Sequence, residues 1–370
     1  MTVTIVAFAV FLVLHGLLHL LGTAKAFGWA DLPQLTATIR APAGLAWFAS
    51  ALLFVAAAMA LWAWPRGWWA IGLAALVVSM TVIVSSWSDA KFGAAANVVV
   101  LLGVALGFLS LGPLSLRAQY DRDVEALVVP PLSVALVTDA DLAQLPGPVQ
   151  RYLRGVGVVG HPRVHDVLVR MHGRIRSGRD ARWMPITAEQ HNIVHPAARL
   201  FYLTASMAGV PVQGYHRYVG AAASMRVKAA GLVPVATGDG DEMTRSETVT
   251  LFNDMCLLAP ATLIDPAIAW TEIDTGTVMA RFTNAGHTIT ATLRFDADGA
   301  LRDFTSDDRS QVLPDGTLRT FRWSTPVDRY ARYGDFRLPA GGEARWHDAD
   351  GGYAYIELAF DEVRYNVGPP

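Results

Sequence analysis

The chain has one cysteine, little charge and no excess of basic residues, and each shortage limits what it can do. The single cysteine, Cys256, stands among 370 residues. It therefore excludes an internal disulfide and a cysteine-rich metal site, and it says nothing about the cellular compartment. Charged residues make up 17% of the chain and the net charge is −2. Without a basic surface, we expect no nucleic acid partner.

The sequence also lacks the signatures of common enzyme classes. It contains no H-E-x-x-H zinc motif, no nucleophile elbow, no P-loop and no G-x-G-x-x-G turn. His191 and His195 lie in a predicted strand, where four residues span roughly 13 Å, too far for shared coordination of a metal ion. We therefore expect no metal and no cofactor. Weak catalytic candidates remain, and they are Glu189, His191, Glu247 and Asp308.

Long uncharged runs dominate the first third of the chain. A helix needs about 20 apolar residues to cross a bilayer. Four runs approach this length, namely Thr4 to Leu21, Leu45 to Trp64, Trp68 to Val84 and Ala94 to Leu111. They predict a four-helix transmembrane domain over residues 1–113. The first run is not a cleavable signal peptide, because no positive segment precedes it and three further spans follow.

Four spans predict a multi-pass protein of the cell membrane with the N- and C-termini on the same side. The lysine and arginine bias of the short loops normally sets the orientation. Here three basic residues are expected on each side. The tie leaves open which side is the cytoplasm.

Polar side chains from three spans are predicted to converge at the membrane face opposite the termini. His15 and His19 are four residues apart and share a helix face, and Lys25, Asp89 and Lys91 are expected at the same membrane face. Ionisable groups at this depth are costly and often mark a site. The five residues are a candidate binding cluster for an anionic headgroup, a proton or a quinone-like ring. Alternatively, Asp89 pairs with Lys91 or Lys25 at the helix ends.

Beyond residue 113 the composition becomes that of a globular domain. Residues 114–146 are predicted to form a connector, with Asp141 capping a short helix, and residues 147–370 a soluble domain. Alternation with a period of two predicts about a dozen strands. Hairpin turns are predicted at Asp298-Gly299, Asp315-Gly316 and Asp350-Gly351. Short connections between neighbouring strands indicate an antiparallel sheet.

One helix is predicted to interrupt the strands, from Asp239 to Leu258. Acidic residues suit its positive N-terminal end, and Pro260 ends it. Its apolar face carries Phe252 and Met255, which we expect to bind the concave side of the sheet. The predicted fold is a multi-pass α-helical membrane block followed by a mainly antiparallel β (α+β) domain. That domain would be a large curved sheet or half-barrel with one inserted amphipathic helix.

Short motifs in the second part of the chain occur in a recognisable order. They are Arg151-Tyr152-Leu153, Thr187-Ala188-Glu189-Gln190, Arg199-Leu200-Phe201-Tyr202, His216-Arg217-Tyr218, Glu247-Thr248-Val249, Asp307-Asp308-Arg309 and Gly342-Glu343-Ala344-Arg345-Trp346. Over about residues 146–367 this order resembles a bacterial family of membrane-associated proteins of unknown function. The resemblance implies no activity. In architecture alone, such a sheet is similar to the half-barrels of bacterial lipoprotein carriers, which shelter acyl chains, and fold does not fix function.

Three functions are compatible with this organisation. The leading hypothesis is a membrane-anchored binding module that holds a lipid or other apolar ligand in the curved sheet. The second is a structural or assembly protein that docks a partner protein at the membrane. The third is a hydrolase-like enzyme acting on a membrane-derived substrate. Membrane lipids are expected partners in each case.

Overall fold

The computed structural model describes residues 2–129, 135–207, 209–313 and 317–368, without the side chains of Thr2 and Val312. Contacts within the chain divide it into two compact units. One unit consists of residues 2–119 and the turn 230–232, and the other consists of the remaining described residues. The Asp315-Gly316 turn predicted from the sequence lies outside the described residues.

The first unit is helical. Its helices are α1 (Thr2–Phe27), α2 (Ala41–Ala63), α3 (Trp68–Ser85), α4 (Trp87–Ala90) and α5 (Gly93–Leu111). Among the described residues, four helices are long and apolar enough to cross a membrane. These are α1, α2, α3 and the helix that begins with α5, as the four uncharged runs predict.

Glycines on α1 permit a close approach to α2. A Cβ atom on Gly22 would lie 2.4 Å from the ring of Trp47, and one on Gly16 would lie 2.9 Å from the Cβ of Phe54. Side chains at these two positions would push the helices apart. Small residues are the usual means by which membrane helices pack closely, because lipid supplies no hydrophobic drive for their association.

The predicted connector is partly helical. It contains α6 (Leu116–Leu127) and α7 (Asp139–Leu142), and α8 (Gly147–Val156) follows it. The mixed charge of α6 hides an apolar stripe, since Tyr120 and Val124 are buried and lie one turn apart. In α7 the N-cap is Thr138, and Asp141 completes a capping box three residues later instead of being the cap itself.

The second unit is built on strands. In chain order they are β1 (Asp166–Ile175), β2 (Met184–Ile193), β3 (Ala198–Met207), β4 (Val210–Val219), β5 (Ala222–Ala229), β6 (Val233–Gly238), β7 (Ile268–Asp274), β8 (Thr277–Asn284), β9 (His287–Phe295), β10 (Leu301–Val312), β11 (Leu318–Ser324), β12 (Tyr330–Tyr333), β13 (Phe336–Pro339), β14 (Gly341–Asp348) and β15 (Gly351–Tyr365). Within the described residues, thirteen of them form one sheet in the order β6-β5-β4-β3-β2-β1-β15-β14-β11-β10-β9-β8-β7, and β12 pairs with β13 alone. Neighbouring strands are antiparallel throughout this sheet. The predicted antiparallel class is therefore confirmed.

The alternating stretch from Ser224 to Pro234 has the pattern of one continuous strand. In the structure a turn separates β5 from β6 within it. Ala230 and Gly231 adopt positive φ angles of 52° and 69° in this turn. A left-handed backbone cannot continue a strand, and the hydrophobic alternation on either side conceals the break.

The sheet is curved around a single helix, α9 (Gly240–Leu257), which joins its two edge strands through a 3-10 turn at Pro260–Ile264. The helix contacts β5, β9 and β10. In a flat sheet β5 and β10 would be about 38 Å apart, at about 4.8 Å per strand, whereas a helix is only about 10–12 Å wide. The sheet must therefore curve for both strands to contact α9. The two halves of the sheet also meet directly, since Asn284 Nδ2 donates to the Tyr218 hydroxyl at 2.6 Å.

The curvature buries α9 on all sides. The helix has an apolar face, as predicted, but its polar side chains are buried as well, including Thr248, Asn253 and Asp254. Buried polar groups need hydrogen-bond partners, so the inner face of the sheet must supply them. At the C-terminal end, the hydroxyls of Tyr152 and Tyr365 donate to helix carbonyls at 2.7 and 2.5 Å.

The apolar face of α9 forms the centre of the core. Phe252 is fully buried. Its ring stacks on that of Phe282, with centroids 5.2 Å apart, and contacts those of Phe304 and Trp270. The helix is therefore held against β7, β8 and β10 by aromatic packing.

We expect Phe252→Ala to lower the free energy of unfolding by about 3–5 kcal/mol, because it leaves a cavity in a close-packed aromatic cluster. Ile273→Ala, at an exposed position of β7, is the matched control and should change it by less than about 0.5 kcal/mol. Urea titration of the full chain in detergent micelles, followed by far-ultraviolet circular dichroism, measures both. A loss below about 1 kcal/mol for Phe252→Ala would contradict this account of the core.

Candidate functional site

A cavity of about 360 Å³ lies between α9 and the inner face of the curved sheet. Ligand-binding cavities of proteins have volumes of about 300–1,000 Å³ and are mostly apolar with a few placed polar groups. This one is at the small end of that range. Its walls come from β1 to β5, from β10, β11, β14 and β15, and from one side of α9.

One end of the cavity is apolar. Leu203 and Ala205 on β3 are followed across the sheet by Val212 on β4 and Val227 on β5. Methionines at positions 171 and 184 complete this wall, and two more line the cavity near His216, at positions 225 and 243. Methionine side chains are flexible and polarisable, which suits a surface that adapts to irregular apolar groups.

The other end of the cavity is polar and charged. Asp254 of α9 is buried, and its Oδ2 accepts hydrogen bonds from Gln190 Nε2 at 2.8 Å, Asn192 Nδ2 at 3.1 Å and Arg199 Nε at 2.6 Å. All three donors come from the inner face of β2 and β3. A buried carboxylate is stable only with such partners.

Glu247 is the second buried carboxylate of this end. Its Oε2 accepts from Arg199 Nη1 at 3.1 Å, and its Oε1 lies 3.7 Å from His216 Nδ1 and 3.6 Å from Arg309 Nη2. Burial by itself raises the pKa of the Glu247 carboxyl, but His216, Arg199 and Arg309 outweigh it and lower the pKa to about 2. Glu247 is therefore ionised in the folded protein at neutral pH.

The guanidinium of Arg309 lies beside Glu247 and is held by two indole rings and two hydroxyl groups. Its guanidinium carbon lies 4.7 Å from the ring centre of Trp323 and 5.0 Å from that of Trp346. Nε donates to Thr250 Oγ1 at 3.1 Å and Nη1 to the Tyr355 hydroxyl at 3.3 Å. A guanidinium that contacts two indole rings is stabilised by their negative faces and keeps one orientation.

Two periodicities bring these residues together. Glu247 and Asp254 are seven residues apart, two helical turns, so they share a face of α9. Arg199 shares the inward phase of β3 with Phe201 and Leu203 because alternate strand residues point to the same side. The charged residues therefore occupy inward-facing positions at which the periodicity of the neighbouring residues predicts apolar side chains.

The four catalytic candidates do not form one site. Gln190 and Asn192 point inward to Asp254. The alternate residues of this strand, Glu189 and His191, therefore point outward. Glu189 there accepts a hydrogen bond from Arg170 at 3.0 Å, and His191 lies 3.0 Å from the Tyr120 hydroxyl. Glu247, by contrast, lies on α9 inside the sheet.

Asp308 is also held by structural contacts. It accepts hydrogen bonds from Arg245 and from the backbone and hydroxyl of Thr290. The motif that contains it lies inside the long strand β10, at a bulge between Ser306 and Arg309. Asp307 pairs separately with Arg322 at 2.9 Å.

Phe252 and Met255, the helix face expected to pack on the concave side of the sheet, lie in the core and do not line the cavity. In the structure that face packs against strands, and the polar face of the helix lines the cavity. Sequence reasoning missed Arg199, His216 and Arg309 as a group, although each lies in a motif of the family pattern. The available signal was a charged residue in the inward phase of a strand.

The predicted membrane cluster is only partly assembled. His15, His19 and Asp89 line a smaller cavity in the helical unit. Lys25 instead donates to the Leu35 carbonyl, and Lys91 lies over the ring of Phe92. Asp89 accepts hydrogen bonds from the Thr36 hydroxyl and the Ala37 backbone in the loop before α2. No group of three or more histidine, cysteine, aspartate or glutamate side chains among the described residues could hold a metal ion.

We expect Glu247→Gln to be less stable than the wild type at pH 7 and to approach it as the pH falls. The folded pKa of about 2 lies below the ordinary value of 4.5. Its stabilising effect is therefore complete above pH 4.5 and disappears as the pH falls toward 2, with a loss on the order of 3 kcal/mol.

Urea titrations of the full chain between pH 7 and pH 3 test this expectation. Glu125→Gln, at an exposed position of α6, serves as the control and should run parallel to the wild type. A constant difference between wild type and Glu247→Gln at all pH values would contradict the depressed pKa.

The chain is similar to solved structures at low identity, and no match is found among curated proteins. A domain described as an outer membrane lipoprotein-sorting protein, from Vibrio parahaemolyticus, is 10% identical. Its alignment covers 55% of this chain and 86% of its own, with a TM-score of 0.33. A DUF1329 family protein from Desulfovibrio piger is 11% identical, with 63% and 95% covered and a TM-score of 0.34.

The sequence profile of one family matches residues 135–358, and its description is a family of unknown function (DUF6544). The match extends over more than half of the 370 residues. It includes every strand from β1 to β14 and all of α9. The expectation of a family of unknown function is confirmed at this level, and the chain belongs to the DUF6544 family.

Proposed function

We propose that the β-rich unit binds a lipid or other amphipathic molecule in the cavity beside α9. The apolar part of the ligand occupies the wall formed by Leu203, Ala205 and Val212. Its polar group lies at the end formed by His216 and Arg309. The observation that carries the proposal is the division of one cavity into an apolar end and a charged end.

The register of the strands supports this division. On β3, Arg199 and Ala205 both face inward and are six residues apart, a rise of about 20 Å. Neighbouring strands repeat the order, with His216 and Val212 on β4 opposite Phe201 and Ala205. Ala205 and Val212 therefore form an apolar pair, and His216 lies two residues from the level of Arg199 and four from that of Ala205.

Exposed apolar side chains lie next to the apolar end. The β3–β4 hairpin exposes Met207 and Val210, and β6 exposes Val233 and Val235. Pairing of Val212 with Ala229 brings both hairpin ends to the same edge of the cavity. Such a patch is expected where an apolar ligand enters or where a domain meets a lipid surface.

The helical unit fits the same proposal. Four helices that could cross a membrane would hold the chain at the cell membrane, with both termini on one side, where amphipathic ligands are concentrated. The polar end of the cavity carries a closed set of ion pairs, which suits recognition of a polar group. It does not combine the four catalytic candidates, and we propose binding without an enzymatic step.

We expect Ala205→Phe to weaken binding of a fluorescent fatty acid by tenfold or more, because the added ring fills the apolar end of the cavity. Ala269→Phe, at an exposed position on the edge strand β7, is the matched control and should bind as the wild type does. Fluorescence titration of the full chain in detergent micelles measures the affinity. Equal affinities for the two variants would contradict the assignment of the cavity.

We expect Arg309→Met to weaken binding of a fatty acid more than binding of the corresponding fatty alcohol. The guanidinium forms a charge-assisted hydrogen bond with a carboxylate, which is about twice as strong as a neutral one. Competition of each ligand with the fluorescent probe gives both affinities for each protein. An equal loss for acid and alcohol would place the polar group of the ligand elsewhere.

A further inference from the structure

Four buried polar side chains form a hydrogen-bonded chain inside the helical unit. His15 Nε2 lies 3.0 Å from Asn97 Oδ1, and Asn97 Nδ2 lies 3.0 Å from Ser79 Oγ. The same oxygen lies 2.8 Å from His19 Nε2, and His19 Nδ1 lies 2.9 Å from the backbone carbonyl of His15. The chain links α1, α3 and α5 within their membrane-spanning segments.

Carbonyl acceptors fix the direction of every bond in this chain. A carbonyl oxygen can only accept, so His19 Nδ1 carries a proton and its neutral ring accepts at Nε2. Ser79 must then donate to His19, which leaves its oxygen to accept from the amide of Asn97. His15 Nε2 donates to the amide oxygen of Asn97. The neutral ring of His15 consequently has an acceptor at Nδ1.

That acceptor is the one ring nitrogen of the chain to which the described residues assign no hydrogen bond. It belongs to His15, a residue that is 4% exposed and that borders a cavity. A neighbouring group is a hydrogen-bond donor without an acceptor. The indole N–H of Trp47 is buried without a partner, and its ring lies 5.2 Å from that of His19. An acceptor and a donor therefore stand unmatched in the same region.

Both residues line one cavity of about 190 Å³. Its other walls are mainly apolar and include Leu18, Ile39, Ile83 and Phe92. An engineered protein cavity of about 150 Å³ holds one benzene molecule. The space is therefore sufficient for one substituted six-membered ring, and a lipid tail or a second ring would have to remain outside.

A second acceptor lies in the wall of the cavity. Asp89 accepts from the backbone N–H of Ala37 and from the Thr36 hydroxyl, both at 2.7 Å. These bonds hold the pKa of the Asp89 carboxyl below its ordinary value, so it is ionised. A carboxylate has about four lone-pair sites, and two are occupied by these bonds. Asp89 can accept a further hydrogen bond from an occupant.

We propose that this cavity binds the ring of a membrane-soluble hydroquinone. A hydroxyl on one side of the ring donates to Nδ1 of His15, and the opposite hydroxyl donates to Asp89. Hydroxyl oxygens also accept, so one can satisfy the indole of Trp47. The oxidised quinone has only acceptors and meets two acceptors at these positions. The site therefore selects the reduced form.

Equilibrium dialysis of the full chain in lipid nanodiscs tests the proposal. The probes are trimethylhydroquinone, its quinone and its dimethyl ether, used without oxygen, and protein-free nanodiscs provide the background. We expect the hydroquinone to bind about tenfold more tightly than either analogue, because each analogue leaves buried acceptors unpaired. Equal binding of the three probes, or none above background, would overturn the proposal.

Variants then locate the site. Ala90→Leu fills the cavity and should abolish binding, whereas Ala95→Leu, at an exposed position of α5, should leave it unchanged. His15→Gln keeps an N–H donor for Asn97 and removes the Nδ1 acceptor. It should reduce the preference for the hydroquinone over the dimethyl ether without abolishing it, because Asp89 still accepts from the opposite hydroxyl.

Thermal unfolding of each variant in nanodiscs checks that the helical unit is intact. Unchanged binding in Ala90→Leu would exclude this cavity. In a folded His15→Gln, a preference for the hydroquinone over its ether as large as that of the wild type would exclude His15 as the acceptor. A Ser79→Ala variant, which frees the ring of His19 to turn, offers a second disturbance of the same chain if His15→Gln fails to fold. We expect it to reduce the preference.

Discussion

The arrangement of the second unit depends on two carboxylates buried on a helix. Glu247 and Asp254 lie on one face of α9, and each costs several kcal/mol to remove from water unless charged and hydrogen-bonded partners replace it. Arg199 reaches both of them, at 3.1 and 2.6 Å. Because a guanidinium has a rigid fork of donors, this contact sets both the rotation and the depth of the helix within the sheet.

The cavity follows from that orientation. With its charged face turned to β2 and β3, α9 presents its apolar face to the opposite half of the sheet, where Phe252 packs with Phe282. The two halves of the interior consequently differ. One is a close-packed aromatic core, and the other is a space bordered by ion pairs at one end and by methionines and aliphatic side chains at the other. An amphipathic ligand matches the second half and has no place in the first.

The helical unit has the same kind of chemistry on a smaller scale. A polar chain from His15 to His19 is enclosed by apolar helices, and its hydrogen-bond directions are set by fixed carbonyl acceptors. In both units a few oriented polar groups lie at the end of an apolar space. That combination is the basis of the binding that we propose for each unit.

Sequence patterns determined the architecture because each element has a local signal. Four uncharged runs specified the membrane helices, and strict alternation with short turns specified an antiparallel sheet. The same patterns could not reveal α6, whose two-residue apolar stripe is masked by charge. They also could not divide β5 from β6, because the break depends on the backbone angles at Ala230 and Gly231.

Only the tertiary structure brings the residues of the candidate sites together. Sequence alone showed that Glu247 is charged and that His15 and His19 share a face. It predicted a helix on the concave side of a curved sheet, but it could not show that Glu247 meets Arg199, His216 and Arg309, which are 48, 31 and 62 positions away in the chain. The strand order β1-β15-β14-β11 joins the two ends of the second unit, and only this long-range pairing brings Arg309 to the cavity. Local patterns determine which residues are buried. The closure of the sheet determines which buried charges meet.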